Sequence, residues 1–513
     1  MRPHMGLRAI ETRTHDVTPG IPDAFDSMPT RACHQGLTRP VLHFRGETEG
    51  TVRFSLAMTG DARVTLEGRA VEGRAIGAIG PLAFRAFDFT AERGDGPRDI
   101  AFGVNGEAFR FRLGARRETL RLAYASCNGG EDEELARAHP EGRNGMWADL
   151  LAVHEANPFH ILIMGGDQIY ADAVWHEPAF EAWRALPRAT RLTAPFTEAM
   201  CEEAEDFFAR RYLQVWNERE VSTAFSSIPV LMMWDDHDIS DGWGSYPDEE
   251  RLAPVAQGLF GVARRAFALF QLGTDPDAPD VAGGFMSETG RHFGWTGTCG
   301  PVTFIAPDLR SERTLTRVME EGHDALDRAL NAATGHVLFV SSVPLVNVDL
   351  SWVERLMRRT PYDKYVDDLR DQWMSYAHQA EWARVANRLL DVPLPVTVLS
   401  GEIHLAAHGT IERGGAVVEQ LTASGIAHPP PPDAFARALE WMVRRPWQRG
   451  DITLTMHEQG ATGRRYLAVR NWMEVEVDAD GLSGILHAEG YGAIEIVSRV
   501  SEAYLPAEAM RFA

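Results

Sequence analysis

The chain has 513 residues, with 51 lysines and arginines against 73 aspartates and glutamates, for a formal net charge of −22. That balance argues against a nucleic-acid or anionic-membrane partner, although a small phosphate-bearing substrate remains open because bound cations reverse a local field. Hydrophobic content of 44% suffices for a packed core. The absence of any run of about 18 apolar residues predicts no membrane span. Cys33, Cys127, Cys201 and Cys299 form no CxxC pair, which argues against a disulfide framework. The opening MRPHMGLRAIETRTHD has no apolar core and no twin arginine. As written, the chain reads as cytoplasmic, or as periplasmic or secreted if a leader has been removed.

Residues 1–40 are polar and irregular. From 41 to 117 apolar residues recur with period two (Val52, Phe54, Leu56; Phe87, Phe89; Ile100, Phe102, Val104), and Asn105-Gly106 separates two such runs. This predicts a small antiparallel β domain with a two-residue hairpin. Residues 118–430 alternate apolar runs with helical stretches, which predicts an α/β core with lid insertions. In that core LRLAYASCNGG (120–130) ends at Cys127, and FHILIMGGDQIYAD (159–172) runs into Asp167, Tyr170 and Asp172. A long amphipathic helix over 196–220, rich in Glu and Arg, is expected to present a solvated face with i,i+4 pairing. PVLMMWDDHDISDGWGS (229–245) drives an apolar run into Asp235, Asp236, His237 and Asp238. PVTFIAPDLRSERT (301–314) ends at Asp308, Arg310 and Arg313, GHVLFVSSVPL (335–345) ends in serines, and residues 351–375 read as a lid. PVTVLSGEIHLAAHG (395–409) delivers Glu402 and His404, and AHPPPPD (427–433) is a stiff turn. Residues 431–513 supply a helix and strands that complete the core.

Ligands of open α/β sheets gather beyond the carboxyl ends of the strands. Here five strand ends carry thiol, carboxylate, phenol, imidazole and guanidinium, which is hard to reconcile with five independent surface loops. Carboxylates that close repel one another unless a cation lies between them. Thiolate and phenolate suit a trivalent or borderline metal such as iron, whereas carboxylates suit calcium, magnesium or manganese. One bridging carboxylate would hold two cations about 3.5–4 Å apart, the geometry of in-line displacement at phosphorus. His408 and His428 read as structural histidines or supports behind the site.

The motifs SCNGG (126–130), GDQIY (166–170), WDDHD (234–238) and SGEIH (400–404), in that order, resemble the PhoD-like alkaline phosphatase D family of the metallophosphoesterase superfamily. APDLRSERT (306–314) and DQWMSYAHQAEWARVANRLL (371–390) extend the resemblance to about residues 120–430. It implies a four-layer αββα sandwich, here preceded by the small β domain. It also implies a binuclear or multinuclear site of Fe3+ with Ca2+, or with Zn2+, Mn2+ or Mg2+ as the second metal. Cys127 and Tyr170 are then iron ligands, Asp167 the bridging carboxylate, and Asp236 a ligand to the second metal. Glu402 and His404 stand for the paired histidines of the last motif, with Glu402 longer than the commoner Asp.

The activity implied is hydrolysis of phosphodiesters, phosphomonoesters or both, by a metal-activated hydroxide. Arg310 would stabilise the transferring oxygens, His237 would protonate the departing alkoxide, and Asp235 or Asp238 would orient its ring. Two alternatives stand beside it: a hydrolase of nucleotide or lipid phosphate bonds on the same site, and a catalytically silent metal-binding protein. The partner expected is a small phosphate ester.

Overall fold

The computed structural model describes residues 36–498 except 117–118, 131–136, 138, 140, 280, 283, 351–370 and 479–480. Most of the irregular start and most of the expected lid therefore lie outside the described residues.

Among the described residues the apolar runs become strands in three sheets of ten, nine and four strands. At the centre of the largest, Leu120–Ala125, Ile161–Gly165 and Val230–Met233 lie parallel, with Ile161 opposite Leu122 and Leu162 opposite Val230. Every residue of these strands is buried, as expected of parallel strands covered on both faces. In the nine-stranded sheet Val302–Ala306, His336–Ser341, Val396–Ser400 and Ala416–Thr422 are parallel neighbours in turn.

Alternation along those strands sets the layers, because successive side chains point to opposite faces. Phe304, Leu338, Val340, Leu399 and Leu421 join the core shared with the larger sheet. Ile305, Val337, Phe339, Val398 and Val418 join a second core. That second core includes Leu326 and Leu330 of helix Glu321–Ala332, and Trp382 and Leu389 of helix Gln379–Asp391. Helices Gly145–Ala156, Glu198–Trp216, Arg219–Ser227 and Pro254–Phe270 pack with the larger sheet. The result is the four-layer αββα sandwich of the metallophosphoesterases.

Residues 41–117 divide between two sheets. Val41–Thr48 pairs in parallel with Val230–Met233 through His43 and Val230, and with Thr51–Thr59, Leu82–Glu92 and Arg74–Ile79 it extends the ten-stranded sheet. The other four strands, Val64–Leu66, Arg69–Val71, Arg98–Val104 and Glu107–Leu113, form the four-stranded sheet. The period-two pattern specifies a strand and its buried face, but it does not say which edge the strand will cover. The hairpin stands at Asn105 and Gly106 with φ of 53° and 91°, the left-handed pair that a two-residue turn requires.

The long helix is amphipathic, as expected, with Arg210 and Asp206 paired at i,i+4 on its charged side. Ala204, Phe207, Phe208, Tyr212 and Trp216 of Glu198–Trp216 are buried, so its charged residues line one side of an apolar stripe. Asn471–Val477 pairs antiparallel with Leu120–Ala125, and Leu482–Ala488 and Gly492–Ile496 follow outward. No helix among the described residues is long and apolar enough to cross a membrane.

Candidate metal centre

The carboxyl ends of the parallel strands of both sheets meet at one rim. Gly401, just past Ser400, shows how closely: a Cβ there would lie 2.2 Å from Ser126 Oγ on the opposing sheet. Three sets of donors gather at this rim, each with its ligand atoms within 4.8 Å of one another: Cys127, Asp167 and His404; Asp167, Asp235 and Asp236; and Asp236, His237 and Asp241. Asp167 belongs to the first two. Cys127, Asp167, Glu402 and His404 all have positive φ (56°, 55°, 66° and 52°), four of the seven such non-glycine residues among those described. Strain of this kind persists only where surrounding structure enforces it, and it concentrates at functional sites.

Backbone bonds supply that enforcement. The Cys127 amide donates to the Gly166 carbonyl at 3.1 Å, and the Asn128 amide to that of Asp167 at 2.7 Å. The Asp167 amide donates to Asp238 Oδ2 at 2.9 Å, and Asp238 also accepts from the amides of Gln168, Ile169 and Asp235. Ser424 Oγ lies 3.2 Å from Cys127 Sγ and accepts from the His404 amide at 2.8 Å. The Tyr170 hydroxyl and His404 Nε2 are 3.0 Å apart.

The charges are not balanced from within. Burial, reinforced by Asp236 and Asp235 and opposed by His237, pushes the Asp167 carboxyl well above its ordinary value. Burial raises Asp235 to about 6 against the pull of Arg310. Burial also raises Glu402, with Asp371 and Asp235 adding to it, and raises the Cys127 thiol, with Asp167 adding to it. Two buried oxygens, Asp167 Oδ1 and Asp235 Oδ2, have no hydrogen-bond partner, and Asp236 Oδ1 meets only the Arg310 guanidinium, 3.2 Å away and without a hydrogen bond. Buried carboxylate oxygens of this kind are costly unless a cation meets them. Cations at the shared carboxylate would reverse each of these shifts. The donor set therefore fits a metal site.

The structure redistributes several expected roles. His237, half-buried, has Nδ1 2.8 Å from Asp172 Oδ2, so Asp172, and neither Asp235 nor Asp238, orients the ring. Burial disfavours the His237 cation, yet the Asp172 and Asp236 carboxylates outweigh it and raise its pKa. Asp238 organises the loop amides, and Asp235 faces the metal set while accepting from Ser342 Oγ at 2.8 Å. Arg310, expected to face phosphate, is fully buried. Its guanidinium bonds to Asp235, reaches Asp371 at 2.6 Å and lies 3.2 Å from Asp236. A buried guanidinium needs carboxylates around it, and here it holds their positions.

Glu402 lies outside all three compact donor sets and accepts from Gln372 Nε2 at 3.1 and 3.2 Å. Sequence reasoning did not single out Ser424 or assign a role to Asp172. Both follow apolar strands within a few residues, a signal shared with many inert loops.

A sandwich of two sheets with cation donors gathered at the strand ends defines a metal-binding α/β protein. A family model described as PhoD related phosphatase matches residues 107–366, just over half of the chain. The chain belongs to that family. An uncharacterized protein of Saccharomyces cerevisiae is 24% identical over 441 residues, a match covering 67% of this chain and 62% of the yeast protein. The chain thus spans under two thirds of that relative's length. The solved structure of PhoD covers 89% of this chain and 92% of its own with a TM-score of 0.53 at 12% identity, a likeness of fold. A dimetal phosphatase from Danio rerio covers 74% of this chain and 97% of its own, at 9% identity and a TM-score of 0.33, too distant to inform the site.

Proposed function

We propose that this protein is a metal-dependent phosphoesterase acting on small phosphomonoesters, phosphodiesters or both. The observation that carries the reading is Asp167, a buried carboxylate common to two donor sets at the strand ends. Cys127, Tyr170 and His404 would complete one position with soft and borderline donors suited to Fe3+. Asp235, Asp236 and Glu402 offer only oxygens and suit Ca2+, with Zn2+, Mn2+ or Mg2+ as substitutes. Bound there, a cation pair would activate water and neutralise charge on the phosphate oxygens.

The chain's own residues do the rest. Asp172 holds His237 Nδ1, which assigns proton delivery to Nε2, directed at the departing alkoxide. Arg310 keeps Asp235 and Asp236 in register from behind. The partly exposed His237 favours catalysis over a silent metal site, because a closed structural centre has no use for a proton donor at its rim.

Elemental analysis of the purified chain, with hydrolysis of p-nitrophenyl phosphate and bis-p-nitrophenyl phosphate, tests this. Bound cations and turnover are expected, and a visible band would mark thiolate or phenolate on ferric iron. A chain with neither cations nor turnover refutes the reading. His237→Ala should keep its cations and lose about 10²- to 10⁴-fold in turnover of alkyl esters, with a smaller loss for nitrophenyl esters. Asp172→Asn should show a weaker loss in the same sense. Equal losses for good and poor leaving groups would remove His237 from the acid role.

A further inference from the structure

His428 belongs to none of the strand-end motifs. It lies in the loop beyond Ala416–Thr422, yet its ring stacks on His404 with centroids 3.5 Å apart and planes 18° apart. The same ring is 5.2 Å from that of Tyr170.

Its placement is imposed by backbone. The His428 amide donates to the Cys127 carbonyl at 3.2 Å, and Nδ1 donates to the Pro429 carbonyl at 2.7 Å. Gly425 passes beneath with φ of 86°, where a Cβ would lie 3.1 Å from the His428 carbonyl oxygen. Gly130 leaves room on another side, since a Cβ there would meet His428 Cδ2 at 3.3 Å. Pro429 to Pro432 follow at once and stiffen the chain. The plane of His428 is therefore fixed independently of the ring it covers.

His404 is constrained differently. Its amide is held by Ser424, but its ring keeps two side-chain torsions of its own and must still bring Nε2 to the Tyr170 hydroxyl. A wall against one face of the imidazole removes the competing orientations. We infer that His428 is a positioning residue for the metal centre: its backbone-fixed ring holds the His404 imidazole at the angle that aims Nε2 toward Cys127, Asp167 and Tyr170. Cation retention then depends on a ring stack as well as on the donors. Nδ1 is engaged with Pro429, and His428 is in none of the compact donor sets among the described residues, which separates this role from that of a ligand.

The inference rests on His404 being a ligand, and the test separates the two. The full-length chain, purified with its native cations, is dialysed against a chelator while cations per chain are followed by mass spectrometry. Circular dichroism checks that each variant is folded. His428→Ala should release cations about 10- to 100-fold more readily, the loss typical of partners that orient metal ligands. His428→Phe, which keeps a flat ring, should hold them nearly as the wild type does. His428→Asn keeps a donor for the Pro429 carbonyl without a ring, and should behave like the Ala variant. It also serves in place of an Ala variant that fails to fold. Wild-type retention in the Ala or Asn variant overturns the role of the stack, as does failure of Phe to rescue. A wild-type chain without cations instead refutes the metal reading itself.

Discussion

The two ends of the parallel strands treat buried polar groups in opposite ways. Near the amino ends of the smaller sandwich sheet, three buried groups meet partners within the fold. His336 Nε2 lies 2.9 Å from Thr397 Oγ1, His408 Nε2 lies 2.8 Å from Glu419 Oε1, and Ser498 Oγ donates to Glu419 Oε2 at 2.7 Å. At the carboxyl ends, buried carboxylates of Asp167, Asp235 and Asp236 each leave one oxygen without a hydrogen bond. A polar group satisfied within the fold contributes to stability, whereas one left open is a binding site in waiting. Polarity alone does not mark the functional end of this sandwich. Incomplete pairing of buried carboxylates does, because among the described residues the buried carboxylate oxygens without a hydrogen bond all lie at this rim.

The sharpest way to break this contrast is Asp167→Asn, which keeps the shape but removes the bridging charge. Turnover should fall by about 10³-fold or more, because several kcal/mol of charge stabilisation go with it. Stability should respond with the opposite sense in the two metal states. With cations bound, the wild type should be the more stable; with cations chelated at pH 8, the Asn variant should be at least as stable, since one fewer carboxylate is then buried without a counter-charge. Denaturant melts in both states check this. A variant that loses stability equally in both would place Asp167 among the satisfied residues and end the comparison.

The same contrast explains what the sequence made legible. Apolar runs ending in Cys127, Asp167, Asp236 and His404 are visible because a buried strand and its polar terminus are local features, and the left-handed φ at Cys127, Asp167 and His404 marks the sharp turn that follows such a strand. Pairings between distant segments were not visible. Asp172 meets His237 across 65 positions and Arg310 meets Asp235 across 75. No periodicity encodes such separations, so the sequence points to a carboxylate beside His237 as its orienting partner and to the substrate as the partner of the guanidinium. Val41–Thr48 was detached from the sandwich for the same reason, since its partner strand begins near Val230.

At the satisfied end, Glu419→Ala should act in the opposite way to Asp167→Asn. It strips the partner from His408 and Ser498, and breaking a buried pair by removing one member costs about 3 kcal/mol. Denaturant unfolding should show that loss while cations per chain stay at the wild-type value. Loss of cations in a folded Glu419→Ala chain would mean that the two ends are coupled.

The smallest effect expected is a pH dependence confined to the satisfied end. Burial lowers the pKa of His336 to about 4, with Glu419 pulling weakly the other way. The unfolded chain takes up that proton near 6.5, whereas the folded chain resists it until about 4. The stabilisation is therefore complete above pH 6.5 and is lost as pH falls toward 4, amounting to about 2 kcal/mol by pH 5. His336→Asn can still bond to Thr397 but cannot titrate, so its stability should fall less between pH 7 and pH 5 than that of the wild type. The comparison belongs in the chelated protein, where protonation of the metal donors in both chains cancels in the difference. Parallel pH profiles for the two chains would show that His336 takes up its proton as easily folded as unfolded, and that the amino-terminal end is less closed than its hydrogen bonds imply.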